Sequence, residues 1–396
     1  MKKARFIVAF LLPVLTFGAA QAGEISDDPA QAKKDAQVAL DWLDGKLDSY
    51  GDFKVTYNGP AIEMRVTSHI PEASSLAQLQ IKGWKILERM SNNKIKVSNS
   101  WSQTVHAAKD GREALRAGLT DSAPCFSIYH ARDYEMANAL SLPFLFKSTH
   151  EAGAIAQHLY PKYLKKEFER YGVLALRVGM NSPYHLYNSK PVRSLEDLAG
   201  LKVRSGGGVD TKIIAALGAT PVSVPAPDAY SALQSGTLDA IHFSDAGASI
   251  FRINEVTKYR TINGFNTVPL EYCLSRDFYQ KLPADLKVVL SGWAQQMDAV
   301  EGIVGYDYGG VLDLAKMVKN TGLQSIKLSD AEKARWRDKL KSLESDWVAS
   351  ASKKGLPAAE FIADIKKLAD KYEKMSANEI MLEAIHHPVQ GIQDVK

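Results

Sequence analysis

Residues 194–244 read SLEDLAGLKVRSGGGVDTKIIAALGATPVSVPAPDAYSALQSGTLDAIHFS. The stretch alternates strand and helix. LKVR is a short strand ending in Arg204, and Gly206–Gly208 allow the backbone to turn sharply behind it. DTKIIAALG predicts a short helix with Asp210 as cap and Gly218 as stop. TPVSVP is a second strand, PDAYSALQSG a second helix closed by Gly236, and LDAIHFS a third strand. Such alternation implies parallel pairing through right-handed crossovers. Ligands of these sheets sit beyond the carboxyl ends of the strands, where Arg204 and His242 both fall.

The rest of the 396 residues is enough for two domains with cores of their own. Charge is mixed and no segment is of low complexity. At the N-terminus, Lys2, Lys3 and Arg5 precede the apolar run FIVAFLLPVLTFG and an Ala20-Gln21-Ala22 site. This pattern predicts a secretory leader over residues 1–22 and a periplasmic mature protein. Taking those three basic residues from the 49 leaves the chain within one charge of its 45 acidic ones. That balance argues against a nucleic-acid partner. Cys125 and Cys273 are far apart in sequence, and the expectation is two small buried thiols rather than a bond.

Residues 23–60 read as a polar helical extension, with Val38, Leu40, Trp42, Leu43 and Leu47 on a loose apolar face laid on the surface. AIEMRVTSH (61–69) is a strand, followed by a helix over 76–93 with Leu76, Leu79, Trp84, Leu87 and Met90 at helical spacing. KIKVSNSW is a second strand and SAPCFSIYHA a third, with a helix between them. A helical stretch from Thr149 to Tyr171 precedes a strand over 172–180 that crosses toward a second domain. A long helix runs from Asp285 to Asn320, softened by Gly302, Gly305, Gly309 and Gly310. The last 20 residues read as a poorly fixed tail.

DLAGLKVR, GATPV, Tyr230-Ser-Ala-Leu-Gln and Gly236-Thr-Leu-Asp239 resemble the solute-binding subunit of tripartite ATP-independent periplasmic (TRAP) transporters, the DctP type. Leu142-Pro-Phe-Leu-Phe146 and Leu282-Pro283-Ala-Asp285-Leu286 extend the match, which covers roughly 61–345. The resemblance implies an α/β, two-domain periplasmic-binding-protein fold (type II-like), with hinge strands and a long helix spanning both domains. It implies domain 1 over 61–180 with 265–300 returning to it, and domain 2 over 181–264 with 301–350 contributing. Residues 351–396 follow as C-terminal helices and tail. The family runs from its leader directly into the first strand, so the 23–60 extension is a departure from it.

The resemblance also implies that Arg204 pairs with the carboxylate of a bound organic acid. A guanidinium gives two parallel bonds to one carboxylate, which suits that role. His242 stands where many members carry glutamate or glutamine, and Phe243 beside it reads as core or cleft wall. Tyr184 stands near where members that bind two-headed or sugar acids have a second arginine. Losing a cation and gaining a ring points to one carboxylate and an apolar or aromatic body. Thr67, Ser68 and His69 follow the first strand, and Trp101 and Phe126 lie near the ends of the next two. All nine are candidate ligand-binding residues.

Catalytic and cofactor motifs are missing. Ser205-Gly-Gly-Gly lacks the dinucleotide spacing, and no P-loop lysine or G-x-S-x-G elbow occurs. No cofactor and no metal are expected, and no catalytic residue is assigned. The function expected is capture of an organic acid and delivery to TRAP membrane subunits. An exported enzyme acting on a carboxylic acid and a sensor presenting its ligand to a receptor are the alternatives.

Overall fold

The computed structural model describes residues 25–392. The expected leader lies outside the described residues. In chain order the strands are β1 (Ile62–Thr67), β2 (Ile95–Ser100), β3 (Ser122–Pro124), β4 (Val173–Met180), β5 (Tyr184–Asn188), β6 (Lys202–Ser205), β7 (Thr220–Ser223), β8 (Ala240–Ser244), β9 (Tyr259–Ile262), β10 (Pro269–Ser275) and β11 (Gln324–Lys327). They form two mixed sheets, ordered β2-β1-β3-β10-β4 and β11-β9-β5-β8-β6-β7. Residues 194–244 supply β6, β7 and β8. β6 runs parallel to both of the others, as strand–helix–strand crossovers require.

The chain passes between the sheets after β4, through Asn181–Pro183, and returns after β9. The two passages are stitched together: Asn181 N donates to Val268 O at 2.8 Å, and Tyr184 N to Asn266 O at 3.0 Å. A third link is the long helix. It is α-helical over Ala284–Val300, widens to π-turns over Glu301–Tyr308, and resumes as Gly309–Thr321 before stopping at Gly322, whose φ is +68°. Its first part packs on β4 and the helix Ser75–Met90, and its last part on the helix Asp245–Ile250. The π segment spans the junction, where a locally loosened helix can bend.

Apolar side chains are buried on both sheets, and one cluster runs continuously from β4 to β5 and β6. Trp84 and Trp293 stack with centroids 4.4 Å apart in the first lobe. Leu186, Val203, Ile213 and Trp336 are buried in the second. The glycine run at 206–208 serves close approach as well as turning. A Cβ at Gly207, whose φ is +123°, would lie 2.4 Å from the carbonyl oxygen of Ile128 in the facing lobe. The two lobes therefore touch backbone to backbone at this seam.

Three expectations are corrected. Cys125 and Cys273 are bonded, with Cα atoms 5.7 Å apart. They belong to neighbouring strand segments, and the 148-residue separation that hid the pairing reflects the return of β10 to the first sheet. The N-terminal extension is two short helices, Pro29–Asp35 and Gln37–Leu43, and not a helix laid on the surface. Trp42 is fully buried, and its Nε1 donates to Gln296 Oε1 at 2.7 Å. The expected tail contains the helix Ala377–His386, opened by a Ser376/Glu379 capping box, with Ile380, Met381 and Ile385 buried. Asn378 ties this helix to the extension: its Oδ1 accepts from Val38 N at 2.9 Å. S-x-x-E ahead of an apolar run was the overlooked signal. No described helix is long and apolar enough to cross a membrane.

Candidate functional site

Between the lobes lies a narrow cavity, with about 40 Å³ open to the centre of a water molecule. Arg204 is the last residue but one of β6 and is buried to 1% exposure. Its Nε donates to Val224 O at 2.8 Å, and the guanidinium lies over the Phe243 ring, 4.8 Å from its centroid. An Nη1–H reaches the His242 carbonyl at 3.4 Å. No carboxylate among the described residues pairs with it.

The other buried arginines set the contrast. Arg177 donates to Asp298 and Glu301, Arg260 to both oxygens of Asp245, and Arg112 to Asp133 and Glu113. A guanidinium removed from water with no counter-charge carries a large desolvation cost. Arg204 bears that cost within a cavity wall. The Tyr129 hydroxyl, beside it, accepts from Ala226 N at 3.1 Å across the lobes. Burial pushes the Tyr129 and Tyr184 phenols up, so both stay protonated.

Of the nine predicted residues the structure brings Arg204, Phe243, Tyr184, His69 and Phe126 to this cavity. His242 points away from it. Side chains alternate across a strand, and Arg204 pairs with Ile241 in register, so Phe243 shares the arginine's face and His242 the opposite one. There His242 Nδ1 lies 2.6 Å from Asp210 Oδ1, and Nε2 lies 2.9 Å from the side-chain amide of Asn263. The expected capping role of Asp210 is likewise replaced. Gly207 precedes the helix Gly208–Ala216, and Asp210 holds His242 and the amide of Gly206.

Thr67 Oγ1 bonds His106 Nε2 at 2.7 Å, and Ser68 is buried beside the strand end. Trp101 packs against a cluster that includes Ile70, Leu76, Ala246 and Tyr306. None of these three lines the cavity. Sequence reasoning missed Tyr129, Phe251, Tyr272 and Tyr306, which do. Tyr272 comes from the returning strand and Tyr306 from the π segment. Neither position carries a local motif.

Glu271, next to Tyr272 on β10, is 1% exposed. Its Oε2 accepts from Ser127 N at 3.0 Å, while Oε1 has no partner. Burial pushes its pKa up to about 7. The folded protein therefore holds this proton more tightly than an unfolded chain, where glutamate titrates near about 4.3. The resulting stability is complete below that value and is lost as pH rises through 7. Glu271→Gln is expected to be about 3 kcal/mol more stable than the wild type at pH 8 and little changed at pH 4.5. Urea unfolding at the two pH values checks this, and a variant less stable at pH 8 contradicts it.

A second, wider cleft of about 750 Å³ lies on the far side of Tyr306, which borders both spaces. It is lined by His185, Arg260, Asp245, Lys327 and the start of the N-terminal extension. Its cations and carboxylates are mixed, and Arg260 is already paired with Asp245. Lys327, unlike Arg204, is exposed to solvent.

The DctP family, described as bacterial extracellular solute-binding protein, family 7, matches residues 67–350. The C4-dicarboxylate-binding periplasmic protein DctP of Rhodobacter capsulatus is 25% identical over 262 residues, which are 65% of this chain and 77% of that protein. The structure of a TRAP periplasmic solute-binding protein from Desulfovibrio salexigens is similar with a TM-score of 0.67 at 27% identity, over 79% of this chain and 97% of that one. A TRAP solute-binding protein from Rhodoferax ferrireducens, solved with copurified benzoate, is similar in fold with a TM-score of 0.74 at 18% identity, over 79% and 99% of the two chains. The N-terminal helices and the helices beyond residue 350 lie outside the family match.

Proposed function

Since this chain belongs to the DctP family of bacterial extracellular solute-binding proteins and is a TRAP-type solute-binding protein, we propose that it captures an organic acid with one carboxylate and an apolar or aromatic body between its lobes. It then hands the acid to TRAP membrane subunits from the periplasm. The observation that carries this reading is Arg204, fully buried without a carboxylate of the protein's own. The ligand's carboxylate supplies the missing counter-charge. Arg204 is also the one arginine or lysine among the described residues lining the cavity. A second carboxylate would find no cation there, and the surrounding rings favour an apolar body.

The cavity's 40 Å³ is less than a six-membered ring needs. Uptake therefore requires the lobes to part, with the two strand passages and the π segment bending. The bound acid, gripped from both lobes, then favours closure.

A thermal-shift panel tests the reading. Benzoate, phenylacetate and mandelate are compared with succinate and malate, and with phenylacetamide as the neutral control. An aromatic monocarboxylate at 100 times its Kd is expected to add about 2.7 kcal/mol of stability. The amide is expected to add nothing. A largest shift with a dicarboxylate contradicts the single-carboxylate assignment, and no shift with any acid contradicts the carboxylate reading itself.

A further inference from the structure

We propose that the acid carries a hydroxyl at the end of its ring remote from the carboxylate, and that His69 is the residue that recognises it. The inference rests on the monocarboxylate reading above and names the ligand class more narrowly, as a hydroxy-substituted aromatic acid.

His69 lies at the end of β1 in the first lobe, and its ring lines the cavity. Neither ring nitrogen bonds a described residue, and Nδ1 is buried without a partner. A buried polar atom left unpaired is costly, and one at a cavity wall is satisfied by whatever occupies the cavity. The imidazole is held in place by rings. It meets Phe126 edge-on at 5.0 Å and stacks on Phe251 at 6.1 Å.

These rings also measure the site. Phe251 stacks on Phe243 at 6.0 Å, and Arg204 lies over Phe243 at 4.8 Å. On the other side Phe126 leads to Tyr129 at 6.0 Å, beside Arg204. Two files of rings thus run between a cation and an unpaired imidazole, leaving an apolar middle for the ligand's own ring. Burial and the charge of nearby His106 push the His69 pKa down to about 4, so the ring is neutral at pH 7. A neutral imidazole offers one donor and one acceptor and no charge. It suits a hydroxyl, which matches either, and gives a second carboxylate or an ammonium no counter-ion. The two ends of the ligand are then held by different lobes, Arg204 from the second and His69 from the first.

Calorimetric titration of phenylacetate, 3-hydroxyphenylacetate and 4-hydroxyphenylacetate into wild type, His69→Phe and His69→Gln tests this. Wild type is expected to bind one hydroxy acid at least about tenfold more tightly than phenylacetate. His69→Phe keeps the apolar wall and is expected to lose that preference, binding the three acids within about threefold of one another. His69→Gln, which restores a donor and an acceptor, is expected to keep part of the preference. Phenylacetate binding to wild type as tightly as both hydroxy acids overturns the proposal alone, as does a preference that survives in His69→Phe. No binding of any of the three acids to wild type overturns the monocarboxylate reading together with it.

Discussion

Arg204→Met is expected to weaken carboxylate binding by at least about 100-fold while leaving the unliganded protein no less stable. The two halves of this result have one cause. In the free protein the guanidinium is 1% exposed and is met by the carbonyls of Val224 and His242 and the Phe243 face, with no negative charge. Methionine has a similar apolar stem and no charge to desolvate, so the substitution removes the cost of keeping an unpaired cation out of water. The freed carbonyls offset part of that gain. The bound state loses a charge-assisted pair in a site closed to water, which is where such a pair is strongest. Titration calorimetry gives the first number, and urea unfolding of the ligand-free protein the second. A ligand-free variant several kcal/mol less stable than wild type would make Arg204 a structural residue.

Arg177→Met is expected to do the reverse, costing about 3–5 kcal/mol of stability in the absence of ligand. Arg177 is equally buried, at 1% exposure. Its Nε donates to Asp298 Oδ1 at 3.0 Å and its Nη2 to Glu301, and it lies over the Tyr272 ring at 4.6 Å. Asp298 Oδ2 also accepts from Val178 N at 2.7 Å, and Gln80 Nε2 donates to Glu301 Oε1 at 3.2 Å. Removing the cation strands two buried carboxylates between β4 and the long helix. Burial already raises the Asp298 carboxyl to about 6, and its protonation relieves part of the cost, so the deficit is expected to shrink as pH falls from 8 to 5. Urea unfolding of both proteins across that range is the check. A deficit below about 1 kcal/mol would contradict this account of the network. Two arginines with the same exposure thus separate by whether the chain supplies their counter-charge.

Much of the second lobe was legible because its signals are local. The 194–244 stretch carries its own strand periods, glycine stops and crossovers, and it placed Arg204 at a strand end facing the cleft. The neighbouring pair His242-Phe243 shows where local reading stops. Alternation sends only one of two adjacent side chains to the cleft, and which one depends on register with β6, which a single strand does not specify. The first lobe's part of the site was harder to read. Tyr129, Tyr272 and Tyr306 come from a loop, a returning strand and the π segment, far apart along the chain. The Cys125–Cys273 bond was hidden for the same reason, since it depends on β10 lying beside β3. The extension and the final helix were misread because each is short and its apolar partners lie at the far end of the chain. What buries Trp42 and Met381 is each other's segment together with the helix Ala284–Val300.

The most direct test is a crystal structure with the acid that gives the largest thermal shift. Both carboxylate oxygens are expected roughly 2.7–3.0 Å from the Arg204 guanidinium, with the ligand's body among Phe243, Phe251, Phe126 and Tyr184. An acid bound elsewhere, for example beside Arg260 and Lys327 in the wider cleft, with Arg204 left without a counter-charge, would contradict it.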